Sequence, residues 1–393
     1  MSLNMDKCTW KRVRLGDVIT RSRKQVDPIE AGIERYVAGG HIASDSITVE
    51  RWGDPTDGQM GSTFRYVFQP DQILFVSARP YLRKMGVVAF SGVVADKTYV
   101  LDAIPENGLL QEFLPFVLSS DRFVEYATSE ATGSMNPRLL WGPLQRYEFD
   151  LPPLQEQKRI ADLLWAVENE SRARAGAVNA WQELRAAHLQ DRMHSIAATS
   201  GTVDLDALIE PGRPITYGIL MPGTGHPGGV PVVKVRDFPE GHIKEEGLLL
   251  TSPELAYEYR RSTLKSGDLL ISIRGTVGRL AEVPASLDGA NITQDTARLT
   301  IAPEHDRRFV RLVLESDFVR TQIRRHTTGL AVKGLNIGAL RKLQIPVPSV
   351  GSSEHDLVRE AAEIEEAIRR AEDTLSASRD LGTALLAEVF GDD

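Results

Sequence analysis

The chain has 393 residues, 42% apolar and 25% charged, with a formal net charge of −8; it is an ordinary globular composition, long enough for two hydrophobic cores rather than one. No apolar run reaches the roughly 20 residues of a membrane span, the single cysteine, Cys8, cannot form an internal disulfide, and the start MSLNMDKCTW lacks the order of a secretory signal. A cytoplasmic protein with no membrane partner is expected.

The negative charge argues against a nucleic-acid partner, but it is local. From Ser353 onward there are 12 acidic and 4 basic residues, so that segment holds the whole −8 and the remainder is neutral. A neutral body can carry basic faces, and KRVRLGDVITRSRK (11–24), RPYLRK (79–84) and RTQIRRH (320–326) are candidates.

In chain order, the first 150 residues read as short β-branched or aromatic runs cut by Gly, Pro and Asp, among them RYVFQPDQILFVSA and MGVVAFSGVVADKTYVLDA. A short helix is predicted in LLQEFLPFVLSSDRFVEYAT. After DLPPLQEQKRIADLL the texture changes: from Leu154 to about Ile196 there is no proline, and Pro153 suits a first helical turn, where a missing N–H is harmless. Ile160, Leu164, Val167, Val178 and Trp181 mark an apolar seam, imperfect in the middle. The β-rich texture returns in VPVVKVRDF and GDLLISIRG, with a second short helix in RRFVRLVLESDFVRTQIRRH. A second long helix is predicted from Ser353, its seam running through Leu357, Ile364, Ile368, Leu375, Leu385 and Val389 at alternating spacings of four and three.

The halves repeat. A shift of 196 residues lays Ser120-Asp121 on Ser316-Asp317, Gly133 on Gly329, Gly142 on Gly338, Leu144 on Leu340 and Pro152 on Pro348; with one gap, Arg79 meets Arg274 and Lys84 meets Arg279. The expected architecture is α+β: two similar mixed α/β domains separated by two long antiparallel helices, a coiled-coil spacer with a pseudo-twofold internal repeat. The predicted division is 1–152, 153–197, 198–350 and 351–393. Each helix of about 40 residues makes a rod of roughly 60 Å, comparable to two turns of B-DNA at about 34 Å each.

Enzymatic signatures are missing. GTGHPG (223–228) fits G-x-G-x-x-G but precedes a strand and holds His226-Pro227 where a helix should open, so it reads as a loop. NPRL (136–139) lacks the second proline and aromatic ring of an amino-methyltransferase motif. There is no phosphate-binding P-loop, metal-ligand pair or nucleophile elbow. His188 and His194 are six apart, off the spacing that shares a helix face. A binding module is favoured, with no catalytic residue, metal or cofactor on this chain.

The segment TGSMNPRLLWGPLQRYEFDLPPLQEQKRIADLL resembles the central region of type I restriction-modification specificity subunits, in which a Thr-Gly loop, a Pro-Pro pair and Glu-Gln-x-x-Ile open a long helix. TTGLAVKGLNIGALRKLQIPVPSVGSSEHDLV is similar to a second, degenerate copy, with Glu354-His355 in place of Glu-Gln. The resemblance implies two target-recognition domains that read double-stranded DNA. It also implies a non-catalytic chain assembled with two modification subunits, which would supply S-adenosylmethionine-dependent methylation, and with restriction subunits, which would use ATP and Mg. Two domains on a fixed spacer would read a split, asymmetric target by base contacts in the major groove. The candidate DNA-binding residues are Arg79, Tyr81, Arg83, Lys84, Lys97, Gly133, Ser134, Asn136 and Arg138 in the first half. In the second half they are Lys234, Arg236, Arg274, Thr276, Arg279, Asn291, Gln294, Lys333 and Asn336. The acidic last helix is expected to face a modification subunit. Two other classes fit less well: a protein-protein scaffold, and a self-sufficient methyltransferase or nuclease.

Overall fold

The computed structural model describes residues 5–239, 241–327, 334–348 and 354–391. Its contacts divide it into one unit of residues 1–175 with 373–393 and a second of residues 176–372. Both are mixed α/β.

In the first unit the β-rich runs build a five-stranded sheet in the order Ile19–Ser22, Thr98–Ala103, Ile73–Val76, Met85–Val88, Thr48–Val49. A three-stranded sheet orders Tyr36–Val37, Gly92–Ala95, Phe64–Phe68. Ile73–Val76 is apolar at every position and buried on both faces, as a central strand should be. One face meets Val37, Phe68, Val88, Val94 and Val100; the other meets the helical layer of Phe113, Phe116, Val117 and Phe123. Lys11–Arg14 pairs antiparallel with Glu148–Leu151, bringing the two ends of the unit together just before the first long helix.

The second unit has a four-stranded sheet, Thr216–Tyr217, Thr296–Leu299, Leu269–Ser272, Leu280–Glu282, and a three-stranded one, Leu249–Thr251, Val230–Val233, Asn291–Ile292. Thr202–Asp204 pairs with Gln344–Pro346 to close it. Beneath the central strand lies a buried ionic network. Arg213 meets Asp268 at 2.8 Å and Thr300 at 3.0 Å, and Arg298 reaches the carbonyls of Thr263 and Pro214. Burial pulls the Arg298 guanidinium below its ordinary value.

Each predicted short helix is in fact two. Leu114–Ser119 and Asp121–Ser129 break at Ser120, and Arg307–Glu315 and Asp317–His326 break at Ser316. Ser120 leaves helical geometry and its hydroxyl accepts the Phe123 N–H at 3.3 Å, an N-cap that starts a new helix where the sequence pattern alone runs on. The Ser-Asp pair shared at the 196-residue shift therefore marks a helix start in both places.

The first long helix is Leu154–Ser200 and the second Glu354–Phe390; Ser353, the expected cap of the second, lies outside the described residues. The Pro153 carbonyl accepts the Gln157 N–H at 2.9 Å, so the proline sits at the helix boundary. Within the first unit, Leu385 and Val389 join Ile160 and Leu164 in one buried cluster, with Val167 packed on it. Within the second, Arg185 binds Glu365 at 2.7 Å, and His188 meets Glu360 at 3.0 Å. Within that second unit, rising numbers on one helix meet falling numbers on the other. Along the second helix Leu357, Leu375, Leu385 and Val389 are buried, and Ile364 and Ile368 half-buried. On the first, Val178 is buried but Trp181 is 38% exposed. Trp181 is therefore not a seam residue; the buried stripe passes from Val178 to Leu189, Met193 and Ile196.

Candidate nucleic-acid interface

In the first unit the chain leaves the central strand at Val76 and makes a tight excursion. Arg79 and Arg83, with φ of 53° and 51°, flank the one-turn helix Pro80–Leu82. Non-glycine residues seldom adopt left-handed geometry unless their surroundings hold them there, and the holding contacts are visible. The Arg79 N–H donates to the Pro137 carbonyl at 2.7 Å, and Leu139 N–H to the Ser77 carbonyl at 2.8 Å. Thr132 and Arg138 exchange backbone hydrogen bonds at 3.0 and 2.8 Å, so the intervening residues form an exposed tip: Gly133, Ser134, Met135 and Asn136 are all exposed. Gly133 has a φ of 108°, which suits only glycine. Arg79 Nε donates to Asn136 Oδ1 at 2.7 Å, tying the two exposed side chains together.

Arg138 anchors the tip from beneath. Its guanidinium donates to Ser77 Oγ at 2.9 Å and the Asp96 carbonyl at 2.7 Å. Ser77 in turn donates through Oγ to the carbonyl of Lys97, whose side chain is exposed. Arg79, Lys97, Gly133, Ser134, Asn136 and Arg138 are therefore brought together, with the exposed Tyr81 on the adjoining turn. Two candidates are turned elsewhere. Arg83 is committed to Asp45 at 2.6 Å, Asp121 at 2.7 Å and the Ser119 carbonyl at 2.6 Å. Lys84 Nζ donates to the Gly39 carbonyl at 2.7 Å. Both brace the excursion rather than present themselves.

One residue was not singled out from the sequence. Arg21 lies 4.1 Å from the centre of the Tyr99 ring, within 5.9 Å of Tyr66 and Trp141, and its Nε finds no hydrogen-bond partner. Burial, reinforced by Arg23 and Arg138, pulls its guanidinium below the ordinary value. The available signal was period two: Arg21 shares a strand face with the buried Ile19.

In the second unit Leu335 N–H donates to the Ile273 carbonyl at 2.8 Å, and Arg274 bridges Gly334. Arg274 and Thr276 are exposed on this turn, with Asp295 4.0 Å from the Arg274 guanidinium. Asn336 is exposed and caps the helix Ile337–Arg341 by accepting the Ala339 N–H at 2.7 Å. Gln294 and Arg279 are half-buried. Arg236 is exposed on a separate turn beside the half-buried Lys234. Asn291 is corrected: it is 1% exposed, its amide holding Ser262 at 2.6 Å and the Tyr259 carbonyl at 3.2 Å, and a buried bracket cannot reach a base. Lys333 lies outside the described residues.

Elsewhere, GTGHPG is an irregular loop with positive φ at Gly223, Gly225 and Gly228 before Val230–Val233. Among the described residues no group of metal-ligating side chains occurs, and no helix is long and apolar enough to cross a membrane.

Residues 8–175 match the type I restriction modification DNA specificity domain. The chain is similar to the type I restriction enzyme EcoBI specificity subunit of Escherichia coli, 27% identical over 193 residues, 47% of this chain and 40% of that protein. The EcoDI specificity subunit of the same organism is 24% identical over 152 residues, 38% of this chain and 33% of that protein. The chain thus spans less than half the length of these curated relatives. Among solved structures, a chain from work on complex assembly and conformational transition of the type I R-M system superposes with a TM-score of 0.64 at 21% identity, covering 98% of both chains. The type I restriction-modification S subunit from M. genitalium superposes at 0.53 and 13%, covering 100% of this chain and 98% of that one. Those likenesses show the fold.

Proposed function

We propose that this chain is the non-catalytic, sequence-reading subunit of a type I restriction-modification system, a reading supported by the match of residues 8–175 to the DNA specificity domain. Each unit reads one half of a split, asymmetric duplex target, and the paired long helices, acting as a coiled-coil spacer, fix the untouched gap. The two readers are copies of one ancestral domain, at 1–152 and 198–350, with the spacer helices at 153–197 and 351–393. Two features support the duplication: each unit closes by pairing its first and last strands, and each pins the turn after its central strand to the segment before its last short helix.

The observation that carries the reading is the exposed tip at 133–136, locked to Arg79 by backbone and side-chain hydrogen bonds. A loop that is both exposed and held in place presents Arg and Asn donors in a fixed geometry, the kind that discriminates base edges by about 1–3 kcal/mol per bidentate pair. The second reader presents Arg274, Thr276 and Asn336. Its different residues imply a different half-site.

Methylation with S-adenosylmethionine is assigned to two modification subunits and ATP- and Mg-dependent cleavage to restriction subunits, with none of these cofactors on this chain. The acidic outer face of the second helix, including Glu363 and Glu372, docks a modification subunit. The experiment is adenine-methylation sequencing of a host carrying this chain with its cognate modification subunit. A single bipartite motif with a constant gap is expected. Methylation at a continuous motif, or at none, refutes the proposal.

A further inference from the structure

The second unit contains a groove of about 550 Å³ that brings the candidate Arg279 beside the basic run at 320–326. It runs from Val277–Leu280, immediately after the Arg274–Thr276 turn, to the helix Asp317–His326. Among the described residues four arginines line it, Arg279, Arg311, Arg320 and Arg324, against one acid, Glu315. Glu315 is already engaged: Arg311 Nε donates to it at 3.0 Å and Arg185 lies 3.3 Å away. Arg324 reaches Thr321 and, at 3.9 Å, Asp317. Among the described residues Arg279 and Arg320 have no side-chain hydrogen bond or ion pair.

Like charges gathered around one hollow repel. Such a cluster is stabilised when an anion enters. Guanidinium forks match phosphate geometry in particular.

We propose that this groove is a phosphate-binding track for the duplex backbone flanking the base-reading turn. The inference rests on the DNA-recognition reading above. Continuity favours nucleic acid over an acidic protein surface: the groove wall is the same strand turn that carries Arg274 and Thr276, so a duplex laid on those residues runs its backbone along Arg279. Arg320 and Arg324 sit one helical turn apart, about 6 Å along the axis, close to two nucleotide steps of about 3.4 Å each.

The described residues of the first unit differ at the matching helix positions. At the 196-residue shift that unit carries Ser119, Val124 and Thr128 where the second carries Glu315, Arg320 and Arg324. The cavity of about 590 Å³ in the first unit is lined by Phe75, Phe116 and Phe123 together with Arg83, Arg172 and Arg379, of which Arg83 is already paired with Asp45 and Asp121.

The test is fluorescence anisotropy of the full chain on a random-sequence duplex from 50 to 200 mM KCl, comparing the natural protein with Arg279→Ala/Arg320→Ala and Arg279→Lys/Arg320→Lys. Two lost phosphate contacts lower the slope of log affinity against log salt by about 1.8, so across this fourfold range the natural protein loses about 12-fold more affinity than the alanine variant. The lysine variant restores the slope. Equal slopes for all three proteins overturn the groove assignment while leaving DNA recognition intact. Loss of binding to an acidic protein with the slope unchanged overturns it in favour of a protein partner. No binding of the natural protein to any duplex defeats the underlying reading, and this inference with it. Matching circular dichroism melts of the three proteins guard against a folding artefact.

Discussion

Gln157 offers a sharp test of how the first long helix is rooted. It is 1% exposed. Its Nε2 donates to the carbonyls of Gly108 at 2.6 Å and Pro152 at 2.8 Å, and its Oε1 accepts the Leu110 N–H at 2.9 Å. One amide thus joins the helix, the Pro-Pro entry and the loop below the sheet. Gln157→Leu keeps the volume but leaves one N–H and two carbonyls buried without partners. At about 1 kcal/mol or more for each, the loss is roughly 3 kcal/mol, a large part of the roughly 5–15 kcal/mol that holds a domain together. Near 200 residues that lowers the melting midpoint by about 6–12 °C. Gln157→Glu is more informative still. The acid can accept from Leu110, but its charged form faces two carbonyls, so its folded pKa rises above the unfolded value. Stability is then greatest in acid and declines as pH climbs through the raised carboxyl range. Urea unfolding followed by tryptophan fluorescence, with hydrogen exchange at the Leu110 amide, checks both variants. Trp165, which donates to the Glu112 carbonyl at 2.9 Å, lies two helical turns from the substitution and reports on the same docking. A Gln157→Leu midpoint within about 1 kcal/mol of the natural protein would refute the idea that this amide fastens the helix.

Arg79 and Arg83 are four residues apart yet should separate cleanly: Arg79→Ala relaxes one base of one half-site by about 1–3 kcal/mol of discrimination, whereas Arg83→Ala lowers the unfolding midpoint and leaves the selected motif unchanged, as motif selection and thermal melts will show. Glu168 lies in the first unit's cavity, and burial pushes its carboxyl above the ordinary value despite Arg172 and Arg379. The charged form is therefore disfavoured in the fold, stability falls as pH rises through the raised pKa, and Glu168→Gln should melt higher at pH 7 with the advantage fading toward pH 4. At Gly218 an added Cβ would meet the Ile292 carbonyl oxygen at 1.9 Å; Gly218→Ala should cost about 1–3 kcal/mol or more, read as a lower urea midpoint.

What was legible follows from periodicity. A strand such as Ile73–Val76 or Leu269–Ser272 announces itself because every position is apolar, and the second long helix because its seam spacing persists from Leu357 to Val389. Trp181 shows where that logic stops: its spacing from Val178 is correct, but spacing fixes only a direction around the helix, and the stripe shifts by a fraction of a turn before Leu189. The helix breaks at Ser120 and Ser316 are not legible for a related reason, since each is one residue leaving helical geometry within a pattern of apolar residues that runs straight through it.

The proposed interface is legible in the sequence only as a neighbourhood. A basic residue beside a turn can point at solvent or back at a carbonyl, and nothing in RPYLRK distinguishes Arg79 from Arg83; the difference is made by Asp45 and Asp121, far away in sequence. Asn291 misled because a polar residue within a buried strand resembles one on its rim until Ser262 and the Tyr259 carbonyl are seen to claim it. The division of labour itself has a physical logic. The residues that fix the reading loop, Arg138, Ser77 and Arg83, must satisfy their hydrogen bonds within the protein, whatever DNA is bound. The residues proposed to read must stay exposed, as Arg79 and Asn136 do while Arg79 Nε donates to Asn136 Oδ1. On the proposed reading, changing a half-site needs only the second group to change, while the closing strand pairs of each unit stay as they are.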